Sequence, residues 1–138
     1  MNDRRSDLCI YRYHDALQTL KIARLCLEQG SYKDAINRSY YAAFYALKAV
    51  LALSAVDFKR HKDVVGYFNK EYVATLIFPR ELGRKLGQLK QMRETSDYDD
   101  FFIASVMDAA DQIEAAQLIV DSVKIYISQY VNLPEDDK

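Results

Sequence analysis

The sequence predicts an all-α protein, a four-helix up-down bundle with one additional short helix. Three observations carry that expectation. Apolar residues recur at intervals of three and four along most of the chain, only 4 Gly and 2 Pro interrupt 138 residues of which half are apolar, and no segment alternates with period two over strand length. The length suits one domain over 1–138 with a single sizeable core, about 6–131, and a tail at 132–138 that reads as disordered.

The first helix is expected from about Ser6 to Gln29, where Ile10, Tyr13, Leu17, Leu20, Ala23 and Leu27 share a face and Gly30 supplies the stop. The second, Ser31 to Ser54, is expected to be central because it carries two apolar stripes. Ala35, Ala42, Ala46, Ala49 and Leu53 form a narrow one that lets a neighbouring backbone come close; Ile36, Tyr40, Phe44, Leu47 and Leu51 fill a wider gap. Ser31 and Asp34 have capping-box spacing. With one residue between them, the first two helices must fold back as a hairpin. Val64, Val65, Phe68 and Tyr72 suggest a short third helix from about His61 to Tyr72. Pro79 suits the first turn of a fourth that runs to about Glu94 with Leu82, Leu86, Leu89 and Met92 inward. Ser105, capped with Asp108, opens a fifth whose stripe runs from Val106 to Tyr130 before Asn132 and Pro134.

A formal net charge of −1 provides no general attraction for polyanions, so any such binding needs a local patch. No apolar run reaches the roughly 20 residues a membrane helix requires, and MNDRRSDL lacks a signal-peptide core, so a soluble, cytoplasmic protein without membrane association is expected. Cys9 and Cys26 lie 17 residues apart on one helix, about 25 Å by helical rise, too far for a disulfide.

Candidate site residues fall in three places. Asp34, Arg38, Tyr41 and Tyr45 project from one edge of the second helix, where a guanidinium between phenols can hold a phosphate or carboxylate; the competing reading is an Asp34–Arg38 ion pair at a helix border. Lys59, Arg60, His61 and Lys62 form the densest positive cluster, read either as an anion-attracting helix start or as a solvated charge run. Arg93 falls among leucines and needs a partner, for which Asp97, Tyr98, Asp99 and Asp100 follow at once. The acidic residues there lack the glycine and distal glutamate of a calcium loop, and no metal or other cofactor is expected.

The blocks NRSYYAAFYALKAVL at 37–51, RHK at 60–62 before VVGYF, and ELGRKLGQLKQMRETSDYD at 81–99, followed by a long last helix, resemble the HEPN domains, in particular the UPF0332 type. The resemblance spans about Leu8 to Tyr130. It implies a helical bundle that usually dimerises and is often encoded beside a minimal nucleotidyltransferase partner. It further implies relatives that are metal-independent ribonucleases, some of them toxins, whose active site is an Arg followed after four to six residues by a His. Arg93 falls at the position of that Arg, but Tyr98 stands where a His is expected, and His61 would have to approach from elsewhere in the fold. Three readings follow. One is a homodimeric module using Arg93, Asp97, Tyr98, Arg38, Tyr41, Tyr45 and His61 to bind a nucleotide, an RNA or a nucleotidyltransferase. Another is a ribonuclease toxin with Arg93, Tyr98 or His61 catalytic, and the third is a structural subunit; the incomplete motif leans away from an enzyme.

Overall fold

The computed structural model describes residues 3–134, and among these every regular element is helical. The order is α1 (Asp3–Glu28), α2 (Tyr32–Leu53), α3 (His61–Phe68), a π-helical turn (Asn69–Val73), α4 (Arg80–Tyr98) and α5 (Val106–Ile127). Of the tail expected to be disordered, 132–138, residues 135–138 lie outside the described residues, whereas Leu133 packs half-buried against the core.

The two stripes of α2 are both buried along their whole length, from Ala35 and Ile36 to Leu51 and Leu53. That burial makes α2 the axis of the molecule: α1, α4 and α5 each pack against it, and α3 closes over one side. The small side chains Ala35, Ala42, Ala46 and Ala49 are fully covered, the close approach their size permits.

The hairpin between α1 and α2 is closed by backbone rather than by a side-chain cap. Gly30 adopts φ 79°, while the Gly30 N–H donates to the Leu27 carbonyl and the Ser31 N–H to that of Cys26, which satisfies the last carbonyls of α1. Ser31 is thereby both the closing residue of one helix and the cap position of the next. With ψ at 72° its hydroxyl caps nothing, so the expected Ser31–Asp34 capping box does not form. At α5 the box does form: the Ser105 hydroxyl accepts from the Asp108 N–H at 3.0 Å, and the Asp108 carboxylate accepts from the Ser105 N–H at 3.0 Å.

Two other boundaries differ from expectation. The third helix switches at Asn69 into a wider π turn, marked by the Ala74 N–H donating to the Asn69 carbonyl at 2.8 Å. The fourth helix continues one turn past Glu94 to Tyr98. Ser96 is buried and Asp97 pairs back to Arg93 across one turn, so residues that resemble a loop in sequence are held helical. Cys9 is buried and Cys26 half-buried, both free; burial pushes the Cys9 thiol up to about 11, so it is a packing group rather than a nucleophile.

Candidate anion-binding site

The site grows from the aromatic stripe of α2 where α3 and α4 meet it. Tyr40 and Phe44 stand one turn apart on the buried face, with Tyr41 and Tyr45 beside them at its half-exposed border. Onto this aromatic surface two polar side chains are laid from other elements. The Arg93 guanidinium of α4 lies 4.7 Å from the centre of the Tyr40 ring and 5.8 Å from that of Tyr41. The His61 ring, at the first residue of α3, lies 4.0 Å from Phe44 and 5.5 Å from Tyr41.

Arg93 is turned inward, with its side chain 13% exposed, as its position among the leucines predicts. Its bond to Asp97 is single and long, Nη1 to Oδ2 at 3.3 Å, and its Nε is buried with no partner among the described residues. The Tyr40 hydroxyl beneath it and the Ser96 hydroxyl one turn along α4 are also buried without partners. Three orphaned polar atoms in one place are unusual, because a buried donor left unmade costs about 1–3 kcal/mol.

The electrostatics favour an arriving anion. Burial first, and then the charges of Arg93 and Lys48, hold the His61 imidazole below its usual range, so it is neutral at pH 7. Burial pushes the Tyr40 phenol up, partly offset by Arg93, and it stays protonated as a donor. The site therefore sets the Arg93 guanidinium, with the Lys48 charge nearby, beside a neutral imidazole and a protonated phenol, against the carboxylate of Asp97 and the more distant charge of Glu94. Such a set suits a phosphate, because the guanidinium fork pairs with its oxygens and the imidazole can exchange a proton beside it.

The structure sorts the sequence-predicted residues. It brings together Arg93, Asp97, Tyr41 and His61, the last across 32 residues of chain that no local spacing could bridge. Tyr45 joins the edge through its ring contacts with Tyr41 and Phe44. Arg38 is exposed on the same edge of α2, one turn before Tyr41, and Asp34 is exposed too, with no ion pair between them. Tyr98 is not part of the cluster: the extra turn of α4 carries it outward to 76% exposure, where it lines a shallow surface depression with Glu94, Thr95 and Asp99. Asp99 is likewise engaged locally, accepting from the Phe101 N–H at 2.9 Å. No group of three or more metal-ligating side chains occurs among the described residues.

Sequence reasoning missed Tyr40 and Phe44 as site walls, having assigned them to the core, and missed Lys48. Lys48 lies three, four and seven residues after Tyr45, Phe44 and Tyr41, so the same helical arithmetic that grouped the tyrosines reaches it.

Comparison with known proteins agrees with the architecture. The family model described as HEPN domain matches residues 11–126. A UPF0332 protein of Thermotoga maritima is 30% identical over 124 residues, covering 90% of this chain and 93% of the relative. A protein of Methanocaldococcus jannaschii named "Putative toxin MJ0142" is 29% identical over 107 residues, 77% of this chain and 73% of its own. A second from that organism, "Putative toxin MJ0605", is 28% identical over 109 residues, 79% and 81% respectively.

Proposed function

The chain belongs to the HEPN domain family, and on that premise we propose that it is a phosphate-recognition module whose ligand is a nucleotide or an RNA. Arg93 holds the phosphate, Tyr41 and His61 flank it, and Tyr45 and Arg38 extend the contact along α2. In this reading the protein acts as a homodimer beside a minimal nucleotidyltransferase, within a toxin–antitoxin-like system; the relatives named as toxins support that setting. The observation that carries it is the under-satisfied Arg93, whose guanidinium makes one long bond to Asp97 and is otherwise laid on aromatic faces. Calorimetric titration with ATP and with short RNA tests it: heat is expected with the wild type and none with Arg93→Ala. Absence of heat from any of these at high micromolar concentration removes the proposal.

A second reading, a metal-independent ribonuclease toxin, is favoured by the arrival of His61 beside Arg93, since it supplies an imidazole where the local motif has none. A neutral imidazole there takes the proton from a ribose 2′-hydroxyl, and the oxygen attacks the adjacent phosphorus. Arg93 stabilises the charge that gathers on the phosphoryl oxygens, while the 5′-oxygen leaves with a proton returned by the imidazolium. The products are a 2′,3′-cyclic phosphate and a 5′-hydroxyl end. Induced expression with RNA profiling decides between the readings: cleavage lost in His61→Ala supports the enzyme, and normal growth with intact RNA eliminates it.

A further inference from the structure

His61 stands at the first residue of a helix whose start has little to fix it. α3 is eight residues long, Arg60 at its cap position makes no side-chain cap bond, and the first side chain it buries is Val64, almost a full turn after His61. The Arg60–Asp63 ion pair, Nε to Oδ2 at 2.9 Å, ties that turn only to itself. The connection before it is equally loose in its backbone. Val56 donates back to the Leu51 carbonyl at 3.2 Å, but among the described residues no main-chain to main-chain hydrogen bond reaches Asp57, Phe58 or Lys59. Side chains fasten it instead. The Asp57 carboxylate pairs with Lys48 Nζ through Oδ1 at 3.4 Å and with Arg12 Nη2 through Oδ2 at 3.3 Å, and Oδ1 also accepts from the Phe58 N–H at 2.9 Å. Arg12 reaches there from α1 and donates through Nη1 to the Lys48 carbonyl at 3.1 Å, so the two cations are themselves locked together.

We infer that Asp57 is the positioning residue of the His61 imidazole: by tying the α2–α3 connection to α1 and α2 at once, it holds the first turn of α3 against the aromatic stripe. That role deepens the reading of His61 as a flanking group, and rests on it only for what the ring's position serves. Lys48 stands four residues after Phe44 on α2, and Asp57 four residues before His61 in the connection. The ion-pair clamp at Lys48 and the ring contact at Phe44 are thus two fastenings on one face of α2, about 6 Å apart at 1.5 Å per residue. Without the clamp, the nearest upstream fastening is Val56 on Leu51, three residues farther from Phe44, and the first buried one downstream is Val64. The ring contact of Phe58 with Tyr67, at 5.4 Å, joins the connection to α3 itself and moves with it. Arg12 and Lys48 keep only 13% and 23% of their side chains exposed, so water and salt screen these pairs less than pairs between two surface side chains.

NMR of the intact chain with labelled histidine, at about pH 8, tests this role, because His61 is neutral there and its signals report position rather than charge. The chain has 2 His, so His61→Asn assigns the signals and the exposed His14 serves as the control. Protons held over the face of an aromatic ring are shielded by its circulating π electrons. The wild-type His61 ring signals are therefore expected upfield of those of His14, displaced by Phe44 at 4.0 Å. Asp57→Ala is expected to lose most of that displacement while the His14 signals and the helical circular dichroism stay as they were. The same loss is expected in Arg12→Gln, which opens the clamp from the α1 side. His61 signals left in place by Asp57→Ala, or by Arg12→Gln should the first variant not fold, overturn the role assigned to Asp57. The readout needs no ligand, so a wild type that takes up no phosphate removes the reading of the Arg93 site while leaving the fastening of His61 to be decided by its own signals. Where phosphate does bind, Asp57→Ala is expected to lose the rise in affinity on acidification that a well-placed His61 brings.

Discussion

At the scale of single residues, the question is what the buried Arg93 contributes to stability and what it contributes to binding. Asp97, its partner, keeps 31% of its side chain exposed, so removing the guanidinium does not strand a buried charge. Arg93→Ala should therefore cost only about 1 kcal/mol, mainly the cation–π attraction to Tyr40 and Tyr41, rather than the roughly 3 kcal/mol of a broken buried pair. A urea midpoint close to wild type combined with abolished phosphate binding is the expected outcome. Arg93→Lys should keep the fold yet bind about tenfold more weakly, because an ammonium cannot form the two-pronged contact. His61 gives a pH signature. Its folded pKa lies below the unfolded value of about 6.5, so the unfolded state binds more protons as pH falls through that range, and stability declines. His61→Asn should flatten this part of the stability–pH curve. A bound phosphate favours the imidazolium, so affinity should rise over the same interval on acidification; an affinity that is flat there in the wild type contradicts His61 as a flanking group. The inward turn of Arg93 was legible because helical spacing places it among leucines. The approach of His61 was not, since a loop of irregular backbone decides where α3 begins.

Helices show a similar division between local and non-local information. Stripes on α1, α2, α4 and α5 identified the elements, and the Ser105–Asp108 cap was readable because a capping box is a contact within one turn. The Ser31 cap failed because the tight hairpin used the same residue twice, a constraint visible only when both helices are considered together. The extra turn of α4 was hidden for a related reason: Thr95, Ser96 and Asp97 are weak helix formers whose tertiary burial and pairing override propensity. Glycines in α4 test how tightly elements meet. A Cβ at Gly83 would lie 3.1 Å from Val73 Cγ1 in the π turn, whereas one at Gly87 meets nothing within 4 Å. Gly87→Ala should stabilise the protein by about 0.5–1 kcal/mol, the ordinary helix-interior gain, and Gly83→Ala should fall short of it or destabilise. Thermal denaturation of the pair measures the difference. At the end of α2, Ala55 holds φ 56° in the closing position that Gly30 fills for α1. Relief of that left-handed strain makes Ala55→Gly a second expected gain, of about 1 kcal/mol.

For the whole molecule, the open matter is whether one copy suffices. The end of α4, the connection that follows and the start of α5 present Tyr98 at 76%, Phe101 at 93%, Ile103 at 87% and Met107 at 64% exposure, within ten residues of chain. Scattered apolar side chains on a surface are ordinary, but four large ones on one short segment form a patch of the kind that subunits cover. The segment begins only five residues after Arg93, at the end of the same helix. A copy docked there would cover the open side of the Glu94, Thr95 and Tyr98 depression and bring its own α4 near the first. A twofold axis at that patch would bring the C-terminal ends of the two copies' α4 helices together. Light scattering should report twice the 16.0 kDa chain mass, and the F101D/I103D variant should return the particle to that of one chain while keeping its helical circular-dichroism signal. Because the patch is exposed in the single chain, these aspartates cost little in folding, so a change in mass without a change in helicity isolates association from stability. A wild-type particle of one chain's mass at high micromolar concentration removes the homodimer, and the Arg93 site must then be complete within a single copy.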